Sequence, residues 1–260
     1  MGWIEATLLG LVQGLTEFLP VSSSGHLVIV ESFLGPRAQG ILFEVAVHVG
    51  TLFAILLFFR ARVAALVSGV LRGTPEAWRY VGKLAVATLP AVPVGLFLEH
   101  RVEALFDIPW VVGVALLGTS AILLTTRRSV QTAHAPEPTW SQALWIGLAQ
   151  VVAIIPGISR SGTTVSAALA LGVAPLAATE FSFLLGVVAI AGAAVLKVPA
   201  MTSASPDLVW ACALGAAVSL VSGVGAIWLF VRLLRSKRFH WFAAYTASVG
   251  VAFLLWTQLH

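Results

Sequence analysis

The sequence predicts an all-α polytopic membrane protein with six transmembrane helices and two re-entrant helix pairs in an inverted repeat. Three observations carry this reading. Hydrophobic residues make up 59% of the 260 positions and charged residues only 10%, with a mean hydropathy of +0.97, whereas a soluble domain carries about a quarter charged residues. The apolar residues come in long unbroken runs, which suit helices and not the alternating pattern of outer-membrane strands. Two apolar segments break at proline and continue into Ser-Gly sequences. The composition excludes a water-soluble globular enzyme, a disordered chain and a nucleic-acid-binding protein. The net charge of +4 therefore points to cytoplasmic loops rather than to a polyanion partner. Cys212, the single cysteine, makes no intrachain disulfide.

The elements follow in order. Residues 4–19 form an apolar segment slightly short of a span, which stops at Pro20; Val-Ser-Ser-Ser-Gly-His and a short apolar piece to Leu34 follow. The segment lacks a basic flank and a small-residue cleavage site, so it is read as part of the fold and not as a removable signal. Runs 41–59, 80–98 and 108–126 are each long enough for about 30 Å of hydrocarbon, which takes roughly 20 helical residues. Residues 140–155 repeat the short pattern. They stop at Pro156, with Gly-Ile-Ser-Arg-Ser-Gly-Thr-Thr and an apolar piece to Leu171 beyond. Runs 180–198, 208–231 and 240–258 complete the set.

The halves 1–130 and 140–260 correspond at an offset of 137: Gly10 with Gly147, Gln13 with Gln150, and Ser22-x-Ser24-Gly25 with Ser159-x-Ser161-Gly162. Glu44 and Gly50 correspond to Glu180 and Gly186 at an offset of 136. Three full spans and a re-entrant pair give each half an odd number of crossings, so the halves are inverted and joined by a cytoplasmic loop. Loop cations agree. With 60–83 inside, Arg60, Arg62, Arg72, Arg79, Lys83, Arg127, Arg128, Arg232, Arg235, Lys237 and Arg238 share the cytoplasmic face, against Arg37, Arg101 and Lys197 outside, a strong positive-inside bias. Both termini then face out. Inverted repeats with broken helices place a polar site near the midplane.

Irregular backbone at membrane depth has to be buried in protein or line a wet cavity. Each Ser-Gly segment precedes a short helix, and a helix N-terminus with unpaired amides binds anions. Two facing N-termini, Ser22–Gly25 and Ser159–Gly162, suit a diphosphate; the same small residues also permit close helix packing. Arg160 is the cation assigned to the membrane interior, where its planar fork suits phosphate oxygens; an ion pair with Glu17, Glu44 or Glu180 is the alternative. Three apolar-flanked carboxylates against one arginine leave a surplus that has to be protonated, paired or neutralised by a metal, and a divalent cation bridging carboxylate and diphosphate would settle the balance. Glu17, one helical turn after Gln13, is the first candidate. Glu44 and Glu180 also fit a symmetric structural role. His26 follows Ser23 by three residues and Ser22 by four, spacings that bring imidazole and hydroxyl together, and a serine needs a base to act as a nucleophile. His48, mid-span without such neighbours, reads as structural.

Gln13-Gly-Leu-Thr-Glu17-Phe-Leu-Pro-Val-Ser-Ser-Ser-Gly-His26 and Pro156-Gly-Ile-Ser-Arg160-Ser-Gly-Thr-Thr164 resemble the two signature motifs of the undecaprenyl-diphosphate phosphatases, the bacitracin-resistance family of bacterial membranes. The similarity extends over the whole chain. It implies hydrolysis of the C55 isoprenyl diphosphate to the monophosphate, recycling the carrier of cell-wall synthesis. It also implies dependence on Mg²⁺ or Ca²⁺, a site facing the outer side of the plasma (inner) membrane, and a homodimer. Carried onto this chain, Glu17 binds the metal or orients water, with Gln13 beside it as an uncharged ligand. Ser23 is the nucleophile and His26 its base, or His26 itself attacks. Arg160 clamps the phosphates, and Ser22, Ser24, Gly25, Ser159, Ser161, Gly162 and Thr164 line the substrate site. The rival expectation is a transporter or flippase for a polyprenyl phosphate carrier, which shares this architecture.

Overall fold

A computed structural model describes residues 2–34, 40–197, 206–236 and 238–259. Among these the chain is all-helical, in thirteen helices without a named strand. Arg37 and Lys237, two of the cations used to orient the chain, lie outside the described residues.

The first broken segment is α1 (Trp3–Phe18) and α2 (Ser23–Leu34). α1 stops because Leu19 takes an extended conformation before Pro20, the conformation that a following proline imposes. α3 (Gly40–Phe58) matches the first expected span, and α4 (Arg60–Leu71) turns away from it by 81° across Phe59. The second expected span does not run straight. It is α5 (Pro75–Thr88) and α6 (Ala91–Phe97), bent by 43° at Pro90, which has no N–H to continue the helical ladder. α7 (Glu99–Phe106) occupies what the hydropathy pattern leaves as a loop, and α8 (Pro109–Thr132) follows.

The second half opens on a second broken segment. Thr139 caps α9 (Trp140–Val152) through reciprocal bonds with Gln142. Beyond Pro156 comes α10 (Arg160–Ala170), then α11 (Pro175–Lys197), α12 (Pro206–Arg235) and α13 (Trp241–Leu259). Four helices, α8 and α11–α13, are long and apolar enough to cross a membrane singly, and the bent pairs α3–α4 and α5–α6 raise the number of candidate spans to six.

The surface is apolar and part of the interior is polar. Phe53, Leu57, Val221 and Leu255 are exposed, while Thr51, Ser182, Ser219 and Thr246 are fully buried. That inversion suits lipid, where association comes from close packing and interhelical hydrogen bonds. α1 packs on α12 and α9 packs on α5. At both contacts glycine lets the backbones meet: a Cβ on Gly10 would strike the Gly215 carbonyl, and one on its counterpart Gly147 would strike Ala87. At one end Phe18, Phe183, Phe230 and Phe239 form a chain of ring contacts at 5.1–5.4 Å.

Candidate active site

The two broken segments meet in the interior with matching local chemistry. Ser22 Oγ accepts from the Gly25 amide at 3.2 Å, and Ser159 Oγ accepts from the Gly162 amide at 3.1 Å. Ser22 and Ser24 hydroxyls lie 3.2 Å apart; Ser159 and Ser161 lie 3.3 Å apart. Each motif also grips the other. The Gly157 amide donates to Ser24 Oγ at 3.5 Å, and Ser161 Oγ donates to the Leu19 carbonyl at 3.3 Å. A Cβ on Gly25 would stand 3.1 Å from Gly157 Cα, and one on Gly162 would stand 3.1 Å from Pro20 Cβ. Gly157 itself has φ +97°, with the Val112 carbonyl and Ala115 crowding its missing side chain; that conformation and that space leave glycine as the residue that fits. Thr119 on α8 fastens this loop, donating to the Gly157 carbonyl and accepting from the Ser159 amide.

Glu17 sits where these segments converge. Arg160 Nη2 donates to its Oε1 at 2.7 Å, and Arg160 Nη1 donates to the Ser182 carbonyl at 3.3 Å. Ser23 Oγ donates to Glu17 Oε2 at 2.6 Å, and Gln13 Nε2 donates to the same oxygen at 3.1 Å. The pair is well removed from solvent, with side-chain exposures of 16% for Arg160 and 6% for Glu17. Thr164 sits behind it, donating to the Arg160 carbonyl and touching the Ser182 hydroxyl.

A cavity of about 840 Å³ opens beside this cluster. Ser22, Ser23, Ser24, Glu17, Ser159 and Arg160 line its polar part; Leu27, Val28, Val45, Ile154, Ile158 and Ile190 line its apolar part. Gln13, Gly25, Ser161, Gly162 and Thr164 are not among the lining residues: they stand behind the wall and support it.

Three expectations change. His26 does not reach Ser23. Its Nδ1 bonds the Ser22 carbonyl at 2.8 Å, its Nε2 bonds the Tyr245 hydroxyl at 2.8 Å, and it does not line the cavity. Helical spacing permits contact at three or four residues but does not choose the partner, and a carboxylate is the stronger acceptor for the Ser23 hydroxyl. The carboxylate surplus also shrinks: Glu180 accepts from Arg62 at 2.8 Å and from Tyr80 at 3.2 Å, while Glu44 is exposed and lines the cavity. Arg62 comes from a helix that hydropathy alone merges into a loop. Finally, His48 is part of the site: it lines the cavity and its Nε2 stands 3.9 Å from Glu17 Oε2. Its Nδ1 bonds the Glu44 carbonyl. A histidine in a long apolar run was the available signal. The lining residues His100, Glu103 and Asp107, on and just after α7, lie in a stretch that hydropathy leaves as a loop, and a loop has no face.

The fold and site define a polytopic helical membrane protein with a buried carboxylate, hydroxyl and guanidinium gathered at an amphipathic cavity. The chain belongs to the bacitracin resistance protein BacA family, whose profile matches residues 6–252. It is 37% identical to the undecaprenyl-diphosphatase of Desulfatibacillum aliphaticivorans, covering 98% of this chain and 99% of that one. It is 39% identical to the undecaprenyl-diphosphatase of Desulforudis audaxviator and 36% to that of Hahella chejuensis, each with 98% of both chains covered.

Proposed function

We infer that this protein hydrolyses undecaprenyl diphosphate to undecaprenyl phosphate and inorganic phosphate. The observation that carries the reading is the Ser23–Glu17–Arg160 cluster at the edge of a cavity lined by both polar and apolar side chains. A lipid diphosphate carries both kinds of surface. Its relatives' name supplies the substrate.

Ser23 Oγ already points its proton at Glu17 Oε2. In the proposed reaction this oxygen attacks the terminal phosphorus, its proton passes to Glu17, and the bridging P–O bond breaks to release the lipid monophosphate. Water then cleaves the Ser23–phosphate bond, and inorganic phosphate leaves. Arg160 engages one Nη with Glu17 and the other with Ser182, and its remaining N–H donors serve the phosphate oxygens. Phosphoryl transfer asks mainly for positioning and charge stabilisation, and a guanidinium matches phosphate with paired hydrogen bonds.

A divalent cation, Mg²⁺ or Ca²⁺, fits this chemistry. Gln13 turns Nε2 to Glu17 Oε2, and its buried Oε1 has no hydrogen-bond partner, so a flip of this amide would set a hard oxygen donor beside the Glu17 carboxylate. No group of three His, Cys, Asp or Glu residues among the described residues could hold a metal alone. That arrangement suits an ion completed by substrate phosphates, as Mg²⁺ sites commonly are. Gln13 and Glu17 would hold it, and it would neutralise charge on the diphosphate.

The halves 1–130 and 140–260 are proposed as inverted repeats, supported by the paired motif bonds and the paired α1–α12 and α9–α5 contacts. The loop cations support a bacterial inner-membrane location with the cavity facing outward, and a homodimer is the oligomeric state proposed. The deciding experiment is phosphate release from purified protein in detergent, where transport has no meaning. Turnover that is lost with chelator and restored by Mg²⁺ or Ca²⁺ supports the reading. No release under any condition overturns it in favour of a flippase, and full turnover after metal stripping removes the cation.

A further inference from the structure

Ser22 is the one non-glycine described residue with positive φ, at 70°, and it immediately precedes Ser23. A β-carbon makes this conformation costly, so surrounding contacts have to hold it. Ser22 Oγ caps the Gly25 amide, and the Ser22 carbonyl accepts from His26 Nδ1 at 2.8 Å. A carbonyl only accepts, so Nδ1 carries the proton; in the neutral imidazole Nε2 is then the acceptor. Tyr245 of α13 fills that role, donating its hydroxyl to Nε2 at 2.8 Å. The two rings lie nearly parallel, 5° apart with centroids separated by 5.7 Å. Tyr245 is 47% exposed on an apolar surface, where a phenol hydroxyl without a polar partner is costly. Nothing in the proposed reaction otherwise uses Tyr245, and it arrives from the far end of the chain.

We propose that Tyr245 is a positioning residue: through His26 it locks the Ser22 carbonyl, and so aims the Ser23 hydroxyl at Glu17. The ring nitrogen assignment, the strained residue and the reacting hydroxyl form one chain, with Tyr245 at its outer end. His26 acts by holding the loop rather than by taking the proton. The inference rests on the phosphatase reading above.

The test uses the full chain in detergent with three variants: Tyr245→Phe, His26→Ala and the double variant. Diethyl pyrocarbonate modification of His26, followed by mass spectrometry, reads the contact without reference to turnover. Removing the hydroxyl should expose Nε2 and raise the modification rate of His26 several-fold in Tyr245→Phe. The same variant should lose about tenfold in kcat, the scale of one hydrogen bond, with KM for the lipid diphosphate and Tm little changed. Adding Tyr245→Phe to His26→Ala should cost nothing further. Unchanged His26 labelling, an unchanged kcat, a loss confined to KM, or multiplicative losses in the double variant would each overturn the proposal. Should the unaltered protein release no phosphate, the phosphatase reading fails separately, and the labelling contrast still decides whether the Tyr245–His26 clamp exists.

Discussion

Arg160 Nη2 lies 2.7 Å from Glu17 Oε1, joining two motifs 143 positions apart. Neither charge would be tolerated alone at this depth, because an unpaired ion in an apolar interior is expensive. The pair therefore does two jobs: it fastens the two broken segments together, and it presents a guanidinium to the cavity.

Arg160→Lys separates those jobs. The ammonium keeps the charge beside Glu17 but gives up the planar fork. Removing one preorganised donor to developing charge costs on the order of 3 kcal/mol, about a hundredfold or more in rate. The lysine variant should keep its melting temperature and lose turnover on that scale. Arg160→Ala should lower both, since it leaves Glu17 buried and unpaired. Near-normal turnover in the lysine variant takes Arg160 out of the reaction.

Ser23 and Glu17 should behave as one unit. Ser23→Ala and Glu17→Gln each remove one end of the 2.6 Å bond, and groups that act together are strongly non-additive. The double variant should be about as impaired as the worse single one. His26→Ala, which removes only the loop support, should retain measurable turnover. If His26→Ala abolishes activity while Ser23→Ala leaves much of it, histidine is the nucleophile after all.

Gly14 tests the packing that holds the site. A Cβ there would collide with the Ser222 hydroxyl and the Ser219 carbonyl on α12. Gly14→Leu should force α1 off α12 and lower the melting temperature of the detergent-solubilised protein, at roughly 1–3 kcal/mol for overpacking. Gly192 has open space around it, so Gly192→Ala should leave stability nearly unchanged. Equal stability of the two variants refutes close α1–α12 packing.

The orientation follows from loop charge and can be read with impermeant thiol reagents after replacement of Cys212. Cysteine placed at Thr139, before α9, should resist labelling in intact cells, and cysteine at Asp207, in the first turn of α12, should react. The opposite pattern inverts the protein in the membrane.

Apolar runs and proline breaks in the sequence located α1 and α2, α9 and α10, and most spans, because helix length is set by hydrocarbon thickness and proline cannot donate to the ladder. The repeated Ser-x-Ser-Gly pattern likewise marked both halves of the site. Some elements were not legible this way. The bend at Pro90 and the helices α4 and α7 depend on local backbone choices that hydropathy averages away. Partner choice lay further out of reach. Spacing placed His26 within range of Ser23, yet only the folded chain set Glu17 in front of that hydroxyl, Tyr245 beside the imidazole and Arg62 on Glu180. His48 looked like an isolated polar residue until α3 packed beside α1 and brought it within 3.9 Å of Glu17. The class of fold and the inventory of reactive groups follow from local composition and periodicity, and so were legible in the chain alone. Which groups meet is set by tertiary packing, because hydrogen bonds and ion pairs depend on distance in space, and residues 13, 17, 23, 48 and 160 converge only once four helices have packed.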